Sequence, residues 1–100
     1  MITNLSQFKK AIQEKKRFKV IEHNIKPEFI GQIRLPNVIQ SNGFYSVIDG
    51  EPENPLSQVN YGKGLWCAFD KASNWKFENG KCTRINERTT ENMFTFEFID

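Results

Sequence analysis

Hydrophobic positions near the N-terminus recur with the spacing of an amphipathic helix. Leu5, Phe8 and Ile12 lie three and then four residues apart, which places all three on one face of an α-helix. Asn4 precedes this run, and asparagine is one of the residues that cap a helix N-terminus best. The pattern predicts a helix over residues 4–16.

After Phe18 the pattern changes to short runs rich in β-branched and aromatic residues, separated by Gly, Pro, Asn and Asp. Such runs are typical of β-strands joined by turns. In the last run Phe94, Phe96 and Phe98 alternate with other residues, which places the three rings on one face of a strand. The sequence therefore predicts seven strands, over residues 18–23, 30–40, 44–48, 65–69, 74–78, 81–85 and 93–99. Pro36 interrupts the second run and predicts a bulge or an edge position there.

Two Asn-Gly dipeptides, Asn42-Gly43 and Asn79-Gly80, lie between strand-like runs. Asn-Gly favours the type I′ turn of a two-residue hairpin loop, because both turn residues need a positive φ. In the second hairpin this turn places Phe77 opposite Cys82, on the same face as Trp75. The sequence therefore predicts that Cys82 packs as a small hydrophobic residue beside an aromatic ring.

The first hairpin carries apolar residues on both faces, with Tyr45 and Val47 on one and Phe44 and Ile48 on the other. A sheet that is apolar on both faces must be covered twice. A strongly curved sheet with the helix packed across one side meets this requirement in a small chain. We therefore predict an α+β fold, in which an N-terminal helix packs on a strongly curved, mainly antiparallel sheet or partly open small barrel. Residues 1–100 are expected to form a single domain.

Composition and charge narrow the function only slightly. The chain has 100 residues, 38% hydrophobic and 26% charged, and a formal net charge of +2, which is too small to indicate nucleic-acid binding by itself. The charge is uneven, however: residues 1–19 contain six basic residues and one acidic, whereas residues 20–100 contain eight basic and eleven acidic. No apolar run follows a basic region at the N-terminus, so we expect no secretory signal or membrane anchor and a cytoplasmic location.

Candidate catalytic chemistry is sparse. His23 is the only histidine, and at the end of a strand such a residue is usually exposed or hydrogen-bonded rather than a base. Cys67 and Cys82 are expected to be reduced, although their spacing alone leaves a disulfide open. The predicted register puts both thiols in apolar surroundings, where they are inert, and they lack the ligand spacing of a zinc site. We therefore expect no catalytic residue, no metal and no cofactor.

The segment DGEPENPLSQVNYGKG, residues 49–64, has no clear periodicity. Connections of this length are commonly functional or disordered. Trp66 comes two residues after this segment, on the opposite side of its strand from Cys67. Its side chain is therefore either covered by a second layer or available to a partner. We interpret the segment either as a packed surface crossover or as a partner-binding edge formed by Asp49, Glu51, Glu53, Tyr61 and Trp66.

The phrases NGFYSVIDGEPENP and KASNWKFENG, between a short lysine-rich helix and an F-x-F-x-F strand, resemble the small uncharacterised accessory proteins encoded by phages and other mobile elements of low-GC Gram-positive bacteria. The resemblance extends over most of the chain. It implies a small protein without enzymatic activity that binds and inhibits host or rival machinery, as anti-CRISPR proteins do. It carries over no functional residue.

The sequence thus favours a non-catalytic module that binds another protein through residues 49–66. The alternative is a small nucleic-acid-binding domain, in which aromatic side chains such as Phe44, Tyr45 or Trp66 stack on bases. A small enzyme and a purely structural role are further alternatives, and the oligomeric state stays open. In the nucleic-acid alternative, phosphate contacts come from the basic residues of the N-terminal segment: Lys9, Lys10, Lys15, Lys16, Arg17 and Lys19.

Overall fold

The computed structural model describes residues 1–40, 43–50 and 65–99. Within these residues the chain forms one α-helix, α1 (Leu5–Gln13), followed by seven β-strands. The strands are β1 (Phe18–His23), β2 (Ile33–Gln40), β3 (Gly43–Ile48), β4 (Leu65–Ala68), β5 (Trp75–Glu78), β6 (Lys81–Ile85) and β7 (Asn92–Phe98). No helix in the described part of the chain is long and apolar enough to cross a membrane.

The seven strands form one sheet in the order β4-β3-β2-β1-β7-β6-β5, and every neighbouring pair is antiparallel. The sheet is strongly curled into a half-barrel, and α1 packs on it. The predicted α+β fold with a curved antiparallel sheet is therefore confirmed. The two edge strands, β4 and β5, follow each other in the chain, so the opening of the half-barrel lies between them.

Helix α1 begins as predicted and ends earlier. The side chain of Asn4 caps it, because Asn4 Oδ1 accepts a hydrogen bond from the N–H of Gln7. The last helical residue is Gln13 rather than residue 16. The reason is local: Lys15 adopts a φ of 58°, the left-handed conformation that turns the chain out of a helix.

Aromatic side chains of α1, the sheet and the β4–β5 connection make the core. The ring of Phe8 lies 6.0 Å from Phe69, just after β4, and 4.5 Å from Trp75, at the start of β5. Through Phe8, helix α1 therefore packs against aromatic side chains beside both edge strands. Phe94 and Phe96 are buried and stack at 5.0 Å, as the alternation in the last strand predicts.

The second hairpin has the predicted register. Phe77 pairs with Cys82 and Trp75 with Arg84, and the turn residues Asn79 and Gly80 have φ values of 53° and 78°. The first hairpin does not. Gly43 is the first residue of β3 and pairs with Gln40, so the prediction that Asn42-Gly43 forms a two-residue loop is wrong. A register shift between Asn37 and Gln40 changes which residues face each other.

Strand β2 begins at Ile33 rather than at residue 30, because a 3₁₀ turn and Gly31, with a φ of 87°, precede it. Strand β1 pairs with β2 only at Ile33 and Arg34, so Pro36 lies past the start of β1, where no strand needs its missing N–H. Strand β2 is nevertheless an interior strand, between β3 and β1, so Pro36 does not lie on an edge strand. The predicted alternative, a bulge, corresponds to the register shift with β3 between Asn37 and Gln40. The prediction that β3 is covered on both faces is also confirmed, since its first five residues are all buried.

Candidate partner-binding surface

The predicted binding segment, residues 49–66, is described at its two ends. Asp49 is exposed after β3. Its carboxylate Oδ2 lies 3.0 Å from Arg17 Nη1, and its N–H donates to the carbonyl of Ile33 at 2.7 Å. Trp66 lies in β4. Outside the described residues fall the side chain of Trp66 and the whole of Glu51, Glu53 and Tyr61.

At least three of the six predicted phosphate-binding residues have intramolecular partners. Lys16 Nζ lies 3.7 Å from a carboxylate oxygen of Glu14, and Arg17 makes the ion pair described above. The ammonium of Lys9 lies 5.5 Å from the centre of the Phe69 ring, as in a cation–π contact. These contacts neutralise or cover part of the basic segment. The remaining residues are exposed: Lys10, Lys15 and Lys19.

Two of the three sheet aromatics in the nucleic-acid alternative, Phe44 and Tyr45, are inaccessible. Phe44 is 0% exposed and Tyr45 is 3% exposed. Stacking on a base requires an open ring face, which neither side chain offers in this fold. For the third aromatic residue of that alternative, Trp66, stacking on a base stays a prediction.

The connection between β1 and β2, residues 24–32, is hereafter called the corner. Backbone hydrogen bonds tie it to the sheet at both ends: the N–H of Asn24 donates to the carbonyl of Met93 at 2.9 Å, and the N–H of Gly31 to that of Val20 at 2.8 Å. Between these two bonds the chain folds into a short 3₁₀ turn. The corner is thus a well-bonded loop.

The 3₁₀ turn of the corner directs Phe29 into the domain. Phe29 is 4% exposed, and its ring stands nearly perpendicular to that of His23, with centroids 5.4 Å apart. The His23 ring in turn lies 5.1 Å from that of Phe94 on β7. His23 therefore lies between two phenylalanine rings, and this packing joins the corner to the sheet.

Arg34 completes the packing beneath the corner. Its side chain is fully buried, and its guanidinium lies 4.3 Å from the centre of the Phe29 ring. Nη2 donates to Gln32 Oε1 at 2.6 Å and Nη1 to the carbonyl of Ser46 at 3.4 Å. Because a buried guanidinium is costly to desolvate, its hydrogen bonds must be kept. They connect the end of the corner to β2 and β3.

His23 is 3% exposed, and its Nδ1 accepts a hydrogen bond from the N–H of Lys26 at 2.9 Å. Burial lowers the pKa of His23; the positive charges of Arg34 and Lys26 lower it as well, against an opposing effect of Glu28. The imidazole is therefore neutral at pH 7. Since Nδ1 accepts, the proton of the neutral ring is on Nε2.

The outer side of the corner is apolar at two positions. Ile25 is 58% exposed and Ile30 is 51% exposed, and they flank the 3₁₀ turn from which Phe29 points inward. An ordered backbone thus holds two large apolar side chains in water. Binding through such a loop costs little conformational entropy, because the loop is already fixed.

None of the predictions from the sequence concerns Ile25, Ile30 or Arg34. A signal for the two isoleucines exists, because they are isolated apolar residues in the polar stretch HNIKPEFIG. For Arg34 no local signal exists. Its burial follows from its position opposite Phe18 across β1 and β2, which is a tertiary fact.

The two cysteines offer no reactive centre. Both are free and buried, as predicted. Burial raises the pKa of Cys82 to about 12 and raises that of Cys67 even further, so neither thiol ionises at neutral pH. In the described ranges no group of three or more His, Cys, Asp or Glu residues could hold a metal ion.

A groove of about 340 Å³ lies between α1 and the Asn79-Gly80 turn. Its lining includes charges of both signs, Lys16 and Glu97, and apolar residues such as Ala11 and Phe98. The groove holds neither a nucleophile nor a cluster of one charge. It therefore suggests no class of ligand.

No family model matches this chain, and no curated protein or solved structure matches it either. No residue role can be transferred from a relative. The interpretation of the surface therefore depends on the packing, charges and exposure described above.

Proposed function

We propose that this protein is a non-catalytic module that binds another protein, and that its binding surface includes the corner. The observation that carries the proposal is the exposure of Ile25 and Ile30, at 58% and 51%, on a loop that buried side chains hold in place. When a partner covers large apolar side chains that are held exposed to water, the free energy of the complex falls.

The chemistry of the surface fits a protein partner of mixed character. Polar residues surround the two isoleucines, among them Lys26 and the exposed Glu28. An apolar centre with a charged rim is the usual anatomy of a protein–protein interface. The partner would offer an apolar pocket for the isoleucines, ringed by groups that accept both charges.

The start of the predicted segment 49–66 lies near the end of the corner. The hydrogen bond from Asp49 N–H to the carbonyl of Ile33 places the start of the segment directly beside the first residue after the corner. Asp49, Glu51, Glu53, Tyr61 and Trp66 thus remain proposed contributors to one continuous surface. The resemblance to mobile-element accessory proteins agrees with a binding role but names no partner.

The nucleic-acid alternative has less support. Its electrostatic term requires free phosphate-binding cations, whereas Lys16 and Arg17 have carboxylate partners. Its stacking term requires accessible rings, and Phe44 and Tyr45 are buried. We therefore prefer a protein as the partner.

The test is affinity capture from the source organism with matched variants. The bait is the full chain as wild type, as Ile25→Asp/Ile30→Asp, and as Ile99→Asp, because Ile99 is another isoleucine that is 43% exposed but lies after β7. The wild type and the Ile99 variant should retain the same protein after nuclease treatment. The double variant should lose it at least tenfold, since a charge replaces an apolar contact.

Two results would refute the proposal. If the captured material disappears after nuclease treatment, the partner is a nucleic acid. If the double variant captures the protein as well as the Ile99 control does, the corner is not the binding surface. A Tyr61→Ala/Trp66→Ala bait, compared in the same experiment, shows whether the segment after Asp49 contributes.

A further inference from the structure

The hydrogen bond between Lys26 N–H and His23 Nδ1 joins the corner to the sheet through a titratable group. At neutral pH the imidazole accepts at Nδ1 and carries its proton on Nε2. A second proton can bind only at Nδ1, the atom that Lys26 N–H already uses. In the protonated ring both nitrogens are donors, so the protonated His23 cannot accept from Lys26.

The surroundings of His23 give the charged ring no compensation. Its two ring neighbours, Phe29 from the corner and Phe94 from β7, are apolar. Within the described residues Nε2 has no hydrogen-bond partner. Of the charged groups that act on the ring, Arg34 on β2 and Lys26 in the corner oppose a second positive charge, and Glu28 alone favours it.

We propose that His23 is a pH-sensitive latch that keeps the corner closed when neutral and releases it when protonated. Release breaks the Lys26 bond and frees the imidazole from between the two phenylalanine rings, while the proton binds Nδ1. For its biological consequence the inference rests on the proposed function: opening the corner would displace Ile25 and Ile30 and change partner binding. The latch itself is a property of the isolated protein.

The expected size follows from proton linkage. In the open corner His23 titrates with the ordinary histidine pKa of about 6.5, and in the closed corner burial keeps its pKa lower. The open fraction therefore stays constant above about pH 7. Below about pH 6.5 it rises, by at most about tenfold for each pH unit since one proton is involved, until the closed form is protonated as well.

Amide hydrogen exchange of the isolated protein tests the latch directly. Protection factors of Lys26 and Gly31, corrected for intrinsic exchange at each pH, should fall below about pH 6.5, by up to about tenfold per unit. Those of Cys82 and Thr83 in β6, away from the corner, should stay higher at every pH, because these amides exchange only through larger unfolding, which is linked to the same proton. His23→Asn is the matched control: its amide oxygen can accept a hydrogen bond near the Nδ1 position but does not titrate, so its protection should be flat.

A pH-independent protection factor at Lys26 in the wild type, or an equal fall in His23→Asn, overturns the latch. If the Asn variant does not fold, the imidazole signals of the wild type decide instead. A ring that titrates near pH 6.5 while the corner amides keep their protection refutes the proposal. None of these measurements involves a partner, so the latch and the proposed binding surface can fail independently.

Discussion

Two chain reversals in this domain keep their shape by different means. The Asn79-Gly80 turn joins β5 and β6 with two residues, and its positive φ values, 53° and 78°, are what that pair of residues favours. The corner takes residues 24–32 to join β1 and β2 and is fixed by side chains from elsewhere in the fold. The first reversal is determined locally, and the second depends on buried contacts.

This difference bears on function. The conformation of a turn that is set by backbone preference does not depend on which side chains are buried or exposed. The corner uses Phe29 and the buried His23 and Arg34 to hold its backbone, which leaves Ile25 and Ile30 outside. A loop fixed from beneath can present apolar side chains without collapsing onto them, and its shape can respond to the ionisation of a buried group.

Among the substitutions that test this difference, Arg34→Ala should have the largest effect on stability. The substitution removes a fully buried side chain, leaves a cavity beneath Phe29 and deprives the Ser46 carbonyl and Gln32 of a donor. We expect a loss of about 3 kcal/mol in the free energy of unfolding, measured by urea denaturation. Arg34→Met keeps most of the volume without a buried charge and should cost clearly less. A loss below about 1 kcal/mol for the alanine variant would show that Arg34 does not support the corner.

A smaller effect is expected at the locally determined turn. Gly80→Val forces a β-branched residue to a φ of 78°, which should cost about 2 kcal/mol through backbone strain. A steric clash is not the cause, since the nearest atom to an added Cβ is Met1 Cγ at 3.5 Å. An unchanged melting temperature would contradict the assignment. Gly31→Val makes the same test in the corner, where φ is 87° and no atom lies within 4 Å.

The same difference explains what the sequence could predict. The Phe77–Cys82 register follows from one dipeptide and the alternation of two short strands, so it was predictable. The Asn42-Gly43 prediction used the same rule and was wrong, because the register of β2 and β3 shifts between Asn37 and Gln40. The pairing of two whole strands, including a bulge, overrode the local preference.

The candidate surface was less predictable than the fold. Periodicity and turn residues predict the seven strands, the packing of α1 on the sheet and the burial of both thiols. That Arg34 is buried, or that His23 accepts from Lys26, depends on the pairing of β1 with β2 and β7, which no local pattern contains. Lys16 and Arg17 stand out as free cations in the sequence, and their carboxylate partners appear only in the fold.

The connection between β4 and β5, residues 69–74, is a third chain reversal, and the smallest of the expected effects concerns it. Its side-chain contacts involve Asp70. The carboxylate of Asp70 accepts from both terminal nitrogens of Arg84 and from Asn74 Nδ2 at 2.9 Å. The Arg84 guanidinium lies 5.6 Å from the centre of the Trp75 ring. This ion pair joins the β4–β5 connection to β6, beside the start of the edge strand β5, where Trp75 pairs with Arg84.

Asp70→Asn should therefore destabilise the protein by only about 1 kcal/mol, because the Asp70 side chain is 38% exposed and solvent screens the pair. Hydrogen bonds from Arg84 hold the pKa of Asp70 well below its ordinary value. Its contribution is thus complete above about pH 4, the unfolded pKa, and is lost as the pH falls through the lower folded pKa. The difference in stability between wild type and variant should shrink between pH 5 and pH 2.

The matched control is Glu87→Gln, which breaks the ion pair with Lys71. Because these two side chains are 64% and 65% exposed, the control should change stability at no pH in this range. A difference that is constant with pH, or as small as that of Glu87→Gln, would mean that the β4–β5 connection is held by backbone preference alone, like the Asn79-Gly80 turn.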